Sequence, residues 1–320
     1  YRSGIEVFSF GDPTPVLDRR EILDYMVAEH AGNWYAPPVS FEGLARSFRA
    51  SVHHSSALLV KRNMLLSAFV PCGTLSRADF SRFALDFLIF GNAYVERVNN
   101  RMGGVLSLSH VPAKYVRRGS DLAVDQFWFV PLLKAEHAFS VGSVCQVSEP
   151  DINQEVYGLP EYLSALQSAW LNESATLFRR KYYMNGSHAG FVMYMTDPAH
   201  NEEDVANLRQ ALKDSKGPGN FRNLFMYSPN GKKDGLQIIP VSDVSAKDEF
   251  FNVKNVTRDD VLAAHRVPPQ LLGIIPSNTG GFGDAATAAE VFWQHEIVPL
   301  QQRFLELNDW AGVEAVRFSR

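Results

Sequence analysis

The amino-acid sequence predicts an α+β protein in which two long helices carry a small inserted module. Residues 158–187 and 244–272 each show apolar side chains at helical spacing. Residues 188–243, between them, have their own strand and helix pattern but are too few to bury a complete core. The pattern therefore indicates a helical shaft with a small head, preceded by a mixed region and followed by another long helix.

The first long helix is expected to place Pro160 at its first helical position, because the amide hydrogen that proline lacks would have no partner there. Gly186 fits the left-handed residue that often follows a helix end. The apolar side chains should face neighbouring helices, since a wet apolar stripe would be costly. They are Leu163, Leu166, Trp170 and Leu177.

The second long helix is predicted to start after Ser245, which forms a capping pattern with Asp248. It must stop near Val267, because a residue that precedes proline is pushed out of the helical conformation. The pair Asp259-Asp260 would suit the first turn of a helix, so we expect that Thr257 or Asp259 interrupts or re-caps this helix.

The N-terminal region, residues 1–157, has the mixed pattern of an α+β domain. One helix is predicted at 18–30, and one or two more at 41–64. A capping box at Ser76 opens a further helix that ends at Gly91. Strand-like runs follow around a glycine-rich hairpin turn at 100–104. These runs cover residues 93–98, 105–117, 126–133 and 139–147, after an initial strand at 5–8.

The inserted module shows a β-α-β-β order, with a helix at 201–216. Its strands are predicted at 189–196, 224–227 and 236–241. After the second long helix comes a glycine-rich loop, and then a helix from Asp284 to Leu307 that Pro299 should kink. A return strand is predicted at 313–318.

Composition limits the class of function. The net charge of −4 argues against a surface that binds polyanions throughout. Two cysteines without metal spacing suggest a reduced, cytosolic origin, and no apolar run is long enough to span a bilayer. The chain lacks an initiator methionine and ends inside a predicted strand, so we expect it to be the core of a longer polypeptide.

The sequence shows no catalytic constellation, no metal site and no cofactor motif. The glycines at 280–283 lack the lysine and hydroxyl residue of a phosphate loop. His53 and His54 have no third ligand at metal spacing and are interpreted as solvated or packing residues. The other histidines considered, at 188, 265 and 295, are interpreted as isolated. Acidic residues at 202–204 fit the first turn of a helix better than a nuclease site.

Several short motifs occur in a fixed order over most of the chain. They are Gly91-Asn-Ala-Tyr94, Tyr157-Gly-Leu-Pro160, Tyr183-Met-Asn-Gly186, the run Ala264-His-Arg-Val-Pro-Pro-Gln-Leu-Leu-Gly273, and Ile297-Val-Pro-Leu300. In this order the chain resembles the portal, or head–tail connector, proteins of tailed bacteriophages. The opening Phe8-Ser-Phe-Gly-Asp-Pro13 resembles those of temperate, contractile-tailed phages in particular.

The resemblance implies a portal-type fold whose parts map onto the predicted elements. Residues 1–157 would be the wing, 158–187 the first stem helix, 188–243 the clip and 244–272 the second stem helix. Residues 273–284 would be the tunnel loop, and 285–320 the long helix and return strand at the start of the crown region. It also implies a ring of twelve copies at one capsid vertex of the virion, assembled in the host cytoplasm, with double-stranded DNA passing through.

Two residue sets follow from the resemblance. The DNA-facing tunnel loop would comprise Ser277, Asn278, Thr279, Gly280, Gly281, Phe282, Gly283 and Asp284. The clip surface that faces the packaging motor would comprise Asn201, Glu202, Arg209, Lys213, Lys216, Arg222, Lys232 and Lys233. The implied partners are further copies of the chain, the terminase large subunit, the major capsid and scaffolding proteins, head-completion or neck proteins, and DNA without sequence preference; no membrane is implied.

Physical reasoning agrees with a passive channel. A strongly basic lumen would hold phosphates tightly, whereas a slightly acidic chain suits sliding DNA. A ring would also complete the core of the small module, because a neighbouring copy supplies the missing surface. Two alternatives from other classes remain open: a phage DNA-processing enzyme, and a ring-shaped adaptor without DNA contact.

Overall fold

The computed structural model describes residues 31–132, 135–152, 154–184, 191–195, 236–240, 246–274 and 284–319. The strand and helix predicted within residues 5–30 lie outside these ranges. The chain divides into two compact units. The larger unit contains the described residues of 31–170 and 257–319, and the smaller unit those of 171–256. The predicted boundaries between wing, stem, clip and tunnel loop stay predictions.

The described part of the larger unit opens with three helices: α1 (Phe41–Ser47), α2 (Val52–Ala68) and α3 (Arg77–Phe90). The N-cap half of the predicted capping box is present, since the Ser76 hydroxyl accepts a hydrogen bond from the Asp79 backbone N–H at 3.0 Å, while the Asp79 carboxylate accepts from that hydroxyl at 2.6 Å. Helix α3 ends at Gly91, whose φ of +65° is the left-handed conformation that glycine adopts without strain. Both ends of α3 therefore form as local sequence predicts.

The strands are β1 (Asn92–Asn99), β2 (Val105–Val111), β3 (Val116–Arg118), β4 (Phe127–Phe129), β5 (His137–Ala138) and β6 (Val144–Ser148). They form two antiparallel sheets, ordered β2-β1-β6 and β3-β4-β5. The single strand predicted at 105–117 is wrong. Pro112 follows β2, and a 3₁₀ turn at Ala113–Tyr115 separates it from β3, because proline offers no N–H to continue the ladder.

Aromatic side chains fill the centre of the larger unit. Phe304 is fully buried, and its ring lies 5.4 Å from Phe83, 5.1 Å from Phe87 and 5.9 Å from Phe80. These edge-on contacts join α3 to the C-terminal helix described below. Tyr94 on β1 is buried against the Phe127 ring of β4 at 5.7 Å, so both sheets share this core.

The first long helix is a 3₁₀ turn at Glu161–Ala165 followed by α4 (Leu166–Met184). Pro160 does not occupy the first helical position as predicted. It is the cap residue, with an extended ψ of 137°, because the helix opens one residue later with a tight turn. Leu166 and Trp170 are buried in the larger unit, as the predicted apolar face requires.

In the smaller unit, the described strands are β7 (Phe191–Met195) and β8 (Leu236–Pro240), which pair antiparallel. The predicted helix at 201–216 and strand at 224–227 lie outside the described residues.

The second long helix is α5 (Ala246–Ala264). It runs through Thr257 without interruption, so the predicted re-capping there is wrong; the Ser168 hydroxyl instead donates to Asp260 at 3.0 Å, within the larger unit.

The C-terminal part contains a 3₁₀ turn at Pro269–Leu272, α6 (Ala285–Phe292), a π turn at Trp293–Ile297 and α7 (Val298–Ala311). The kink predicted at Pro299 stays a prediction; the observed departure from α geometry is the π turn that ends two residues before it, and the helix continues four residues past Leu307 to Ala311. The predicted return strand at 313–318 is wrong. The segment forms only an isolated bridge between Phe69 and Phe318, because Asn308 occupies the backbone groups of Ala315 and Val316.

Gly158 offers a test of how tightly the larger unit is packed. A Cβ atom at this position would lie 2.3 Å from the Gly91 carbonyl oxygen and 2.5 Å from backbone atoms of Glu149. We expect Gly158→Ala to lower the free energy of unfolding by about 2–3 kcal/mol, the usual cost of overpacking a core. The midpoint of urea unfolding measures this change. Gly73→Ala is the control, because a Cβ at Gly73 meets nothing within 4 Å; equal losses in both variants would contradict the packing argument.

Candidate functional site

The structure describes one member of the two predicted functional sets. Asp284 is described, whereas Ser277, Asn278, Thr279, Gly280, Gly281, Phe282 and Gly283 lie outside the described residues. Asn201, Glu202, Arg209, Lys213, Lys216, Arg222, Lys232 and Lys233 lie outside them as well. Both sets stay predictions, and the described site consists of the residues on each side of the glycine-rich loop.

Asp284 caps the helix that follows the loop. Its carboxylate Oδ1 accepts a hydrogen bond from the Thr287 backbone N–H at 2.8 Å. The same backbone bond is the largest cause that lowers the pKa of Asp284. The side chain is exposed, and its negative charge lies at the positive end of the helix dipole. A helix start is therefore fixed at this residue.

The residues before the loop are also held in place. The 3₁₀ turn Pro269–Leu272 ends at Gly273, which has a φ of +70°. The Ile274 backbone N–H donates to the Pro269 carbonyl at 3.1 Å, and the Ile274 side chain packs on the main core. This turn packs against both α2 and α6. The two flanks of the loop are thus anchored in one unit.

Four charged side chains from the same unit form a cluster. The ammonium group of Lys61, on α2, is 2% exposed and lies 3.0 Å from the Glu296 carboxylate and 3.6 Å from that of Glu161. The Arg266 guanidinium lies 2.6 Å from Glu161 and also donates through Nε to Glu296. Lys61 and Arg266 lower the pKa of Glu161 against the raising effect of its burial. The cluster joins four separate segments of the chain.

A pair of buried histidines adjoins this cluster. His54 Nδ1 and His265 Nε2 lie 2.9 Å apart, and the His54 ring meets the Tyr162 ring at 4.5 Å. The interpretation of His265 as isolated is therefore wrong. The two residues are 211 positions apart in the chain, so no local spacing indicates their contact. The interpretation of His54 as a packing residue agrees with its burial.

A small cavity of about 20 Å³ lies beside the cluster and His265. Lys61, Glu149, Glu161 and His265 supply its polar lining. Burial and the nearby charge of Glu161 raise the pKa of Glu149. Groups of three or more side chains able to hold a metal ion do not occur within the described ranges.

Comparison with known proteins decides the family. A family model for the phage portal protein matches residues 71–314. The chain belongs to the phage portal protein family. The family is a structural one, so the alternative of a DNA-processing enzyme is set aside.

Two curated relatives are each described as a probable portal protein. The one from Escherichia phage P2 is 56% identical over 314 residues, covering 98% of this chain and 91% of the relative. The one from Haemophilus phage HP1 is 36% identical over 313 residues, covering 95% of this chain and 91% of the relative. The resemblance to portals of temperate, contractile-tailed phages is thereby confirmed.

Solved structures share the fold. A structure described as the neck of a native gene transfer agent particle computed with C12 symmetry matches with a TM-score of 0.63 at 17% identity, over 97% of this chain and 86% of that one. A portal protein of the HK97 family from Corynebacterium diphtheriae matches with a TM-score of 0.57 at 14% identity, over 86% and 94%. The predicted α+β portal-type fold is confirmed at this level.

None of the described helices combines the length and apolar content needed to cross a bilayer.

The cluster of Lys61, Glu161, Arg266 and Glu296 escaped sequence reasoning. Its members come from segments far apart in the sequence: Lys61 lies in α2, Glu161 in the 3₁₀ turn before α4, Arg266 after α5 and Glu296 in the π turn. One local signal exists: Arg266 stands two residues before Pro268, where a helix-ending glycine is common.

The buried histidines predict a loss of stability in mild acid. Burial lowers the pKa of His54 from 6.5 to about 4, and burial followed by the charges of His54, Lys61 and Arg266 lowers that of His265. The unfolded chain therefore binds more protons than the folded one between these values, so the free energy of unfolding falls as pH decreases from about 6.5 towards 4. His54 alone should cost about 2 kcal/mol between pH 7 and pH 5.

Urea unfolding of wild-type protein and variants across this pH range tests the expectation. His54→Gln and His265→Gln should each flatten the dependence, whereas His295→Gln is the control, since its side chain is exposed. Glu149, with its raised pKa, works in the opposite direction, and Glu161 contributes only in stronger acid, because its pKa is lowered. An unchanged slope in both buried-site variants would contradict the assignment to the histidine pair.

Proposed function

We propose that this chain forms a ring of twelve copies at one vertex of the phage capsid, and that double-stranded DNA passes through the ring during packaging and ejection. Membership of the portal family over residues 71–314 is the observation that carries the proposal. Two related solved structures, described as necks of gene transfer agent particles, were computed with C6 and C12 symmetry. Rings of identical subunits account for such symmetry.

The proposed partners follow from this position. The ring would meet the terminase large subunit during packaging and head-completion or neck proteins afterwards, with the major capsid and scaffolding proteins around it. Location in the virion is supported by the related structure described as a virion of a native gene transfer agent particle. Assembly in the host cytoplasm is part of the same proposal.

The loop from Ser277 to Asp284 is the proposed contact with DNA. Its flanks support this role, because Asp284 and Ile274 are both anchored in the larger unit, so that the loop between them starts and ends at fixed points. Polar, uncharged side chains and glycines suit weak contacts with a duplex that must keep moving. Phe282 either meets the DNA as a bumper or docks the loop on the wall.

Replacing Gly280 and Gly281 by proline tests the loop. We expect rings of wild-type mass that package or retain much less DNA, because proline removes backbone freedom and amide donors. The DNA content of heads assembled with the variant, and the mass of the isolated ring, are the two measurements. Alanine at both glycines is the matched control, since it keeps the amides. Normal DNA filling with the proline variant would remove the loop from the mechanism and favour an adaptor without DNA contact.

The basic residues of the inserted module are the proposed contact with the packaging motor. These are Lys213, Lys216, Arg222, Lys232 and Lys233, beside Asn201, Glu202 and Arg209 on the same predicted helix and turns. Opposite charge across an interface steers association and mainly changes its rate. The module would present this charge at the end of the stem.

Reversing the charge of Lys232 and Lys233 to glutamate should weaken binding of the terminase large subunit to the ring by at least about tenfold at low salt. Binding of purified terminase to the assembled ring, measured at two salt concentrations, checks this. The neutral pair Lys232→Gln and Lys233→Gln is the control and should give a smaller loss. Intact binding together with normal packaging and neck attachment would count against these two residues.

A further inference from the structure

Two unusual backbone features of the larger unit meet at one carboxylate. Arg266 is the one residue other than glycine with a positive φ, +55°, among the described residues. The residues Trp293–Ile297 form a π turn, which contains one residue more than an α-helical turn. The Glu296 side chain, from inside the π turn, accepts a hydrogen bond from Arg266 Nε. A positive φ at arginine and a π turn each cost energy by themselves. Their direct contact therefore suggests that one stabilises the other.

Arg266 occupies a position where glycine is usual. Helix α5 ends with the Val267 N–H bonded to the Leu262 carbonyl at 3.0 Å and the Arg266 N–H bonded to the Ala263 carbonyl at 3.0 Å. This pattern is the Schellman motif, whose left-handed residue is most often glycine. An arginine there pays a backbone penalty that its side chain can offset by reaching Glu161 and Glu296.

The π turn reconciles two buried faces of one continuous helical segment. Phe292 is buried at the end of α6, and the next buried apolar residue, Ile297, comes five positions later instead of three or four. In an uninterrupted α-helix, residues four positions apart lie on the same face. Trp293 would then be buried on the face that holds Ile297 and Phe304, and Phe292 would not. The register that buries Phe292 and the register that would bury Trp293 differ by one residue. They therefore differ by a rotation of α6 of about 100° relative to α7.

We propose that Arg266 locks the π turn through Glu296 and thereby sets the rotational register of α6. Both oxygens of Glu296 are engaged, Oε1 by Arg266 and Oε2 by Lys61 at 3.0 Å. Lys61 is fixed in the core on α2, and Arg266 is fixed at the end of α5. A return of the turn to α geometry would pull Glu296 away from at least one of these two cations.

The register of α6 has a consequence for the loop before it. Asp284 caps α6, so a rotation of this helix moves the point at which the loop ends. Arg266 and Glu296 would then be positioning residues for the DNA-facing loop. This second half of the inference rests on the proposed function, whereas the lock itself does not.

Cysteine labelling in the assembled ring measures the register. Cys72→Ser and Cys145→Ala give a background free of native thiols. In this background, Ala288→Cys lies at a position 3% exposed and should be protected, whereas Ala286→Cys lies at an exposed one and should react quickly. Arg266→Gly is the decisive variant, because glycine keeps the Schellman ending and relieves the positive φ while removing the lock.

We expect Arg266→Gly to raise the labelling rate of Ala288→Cys at least about tenfold and to slow that of Ala286→Cys, as a change of register requires. If Arg266 did no more than end α5, Arg266→Gly would leave both labelling rates unchanged, because glycine ends a helix at least as well as arginine does. Arg266→Lys should restore part of the protection by keeping a second cation near Glu296, beside Lys61. Asp86→Ala, which removes the acceptor for His110 and for the Ala113 backbone N–H without touching the four charged residues, is the control for general destabilisation and should leave the labelling pattern unchanged.

The outcomes separate the two halves of the inference. Unchanged labelling in Arg266→Gly would overturn the lock. Altered labelling with normal DNA content in the assembled heads would overturn the positioning role while leaving the proposed channel intact. Altered labelling with reduced DNA content, in rings of unchanged mass, would support both.

Discussion

A buried ammonium group is the constraint around which the C-terminal half of the larger unit is arranged. Lys61 lies inside the core, and a charge in such a place is tolerated only when it is paired and hydrogen-bonded. Its partners are carboxylates from two other segments, Glu161 before α4 and Glu296 in the π turn. Removing one partner of a buried ion pair typically costs about 3–5 kcal/mol, because the other charge is left without compensation. The positions of the long helices relative to α2 in this unit are therefore coupled to each other.

Such a cluster contributes specificity more than net stability. The attraction between buried charges roughly balances the loss of their hydration, so an apolar core of the same volume would be about as stable. An apolar core, however, would accept either register of the segment from α6 to α7, since Phe292 and Trp293 are both large and apolar. A carboxylate that needs two cations accepts only one arrangement. This selectivity is a property that packing of apolar side chains alone does not supply.

The parts of the fold that the sequence predicts are those decided by near neighbours. Ser76 with Asp79, Gly91 after α3, and the hairpin at 100–104 each depend on residues within a few positions, and all are present. The errors arise where distant contacts decide. The segment at 313–318 has the composition of a strand, but Asn308 takes its backbone groups. His54 and His265 carry no local pattern that indicates their pairing, and the same holds for the charged cluster. The functional residue sets came from family resemblance, because polar loops and basic turns look alike in many proteins.

Arg266 shows how a local rule and a long-range demand compete at a single residue. The local rule favours glycine at the end of α5, and departing from it costs about 1 kcal/mol. The long-range demand is for a cation that reaches Glu161 and Glu296 together. The planar guanidinium of arginine meets it with a separate N–H donor for each carboxylate, whereas the single ammonium group of lysine would do so less well. A bond between charged groups contributes about 1.5–3 kcal/mol when partly buried, so two such bonds outweigh the backbone penalty. The half-exposed position of Arg266 reduces this gain through solvent screening, which leaves the balance favourable but small.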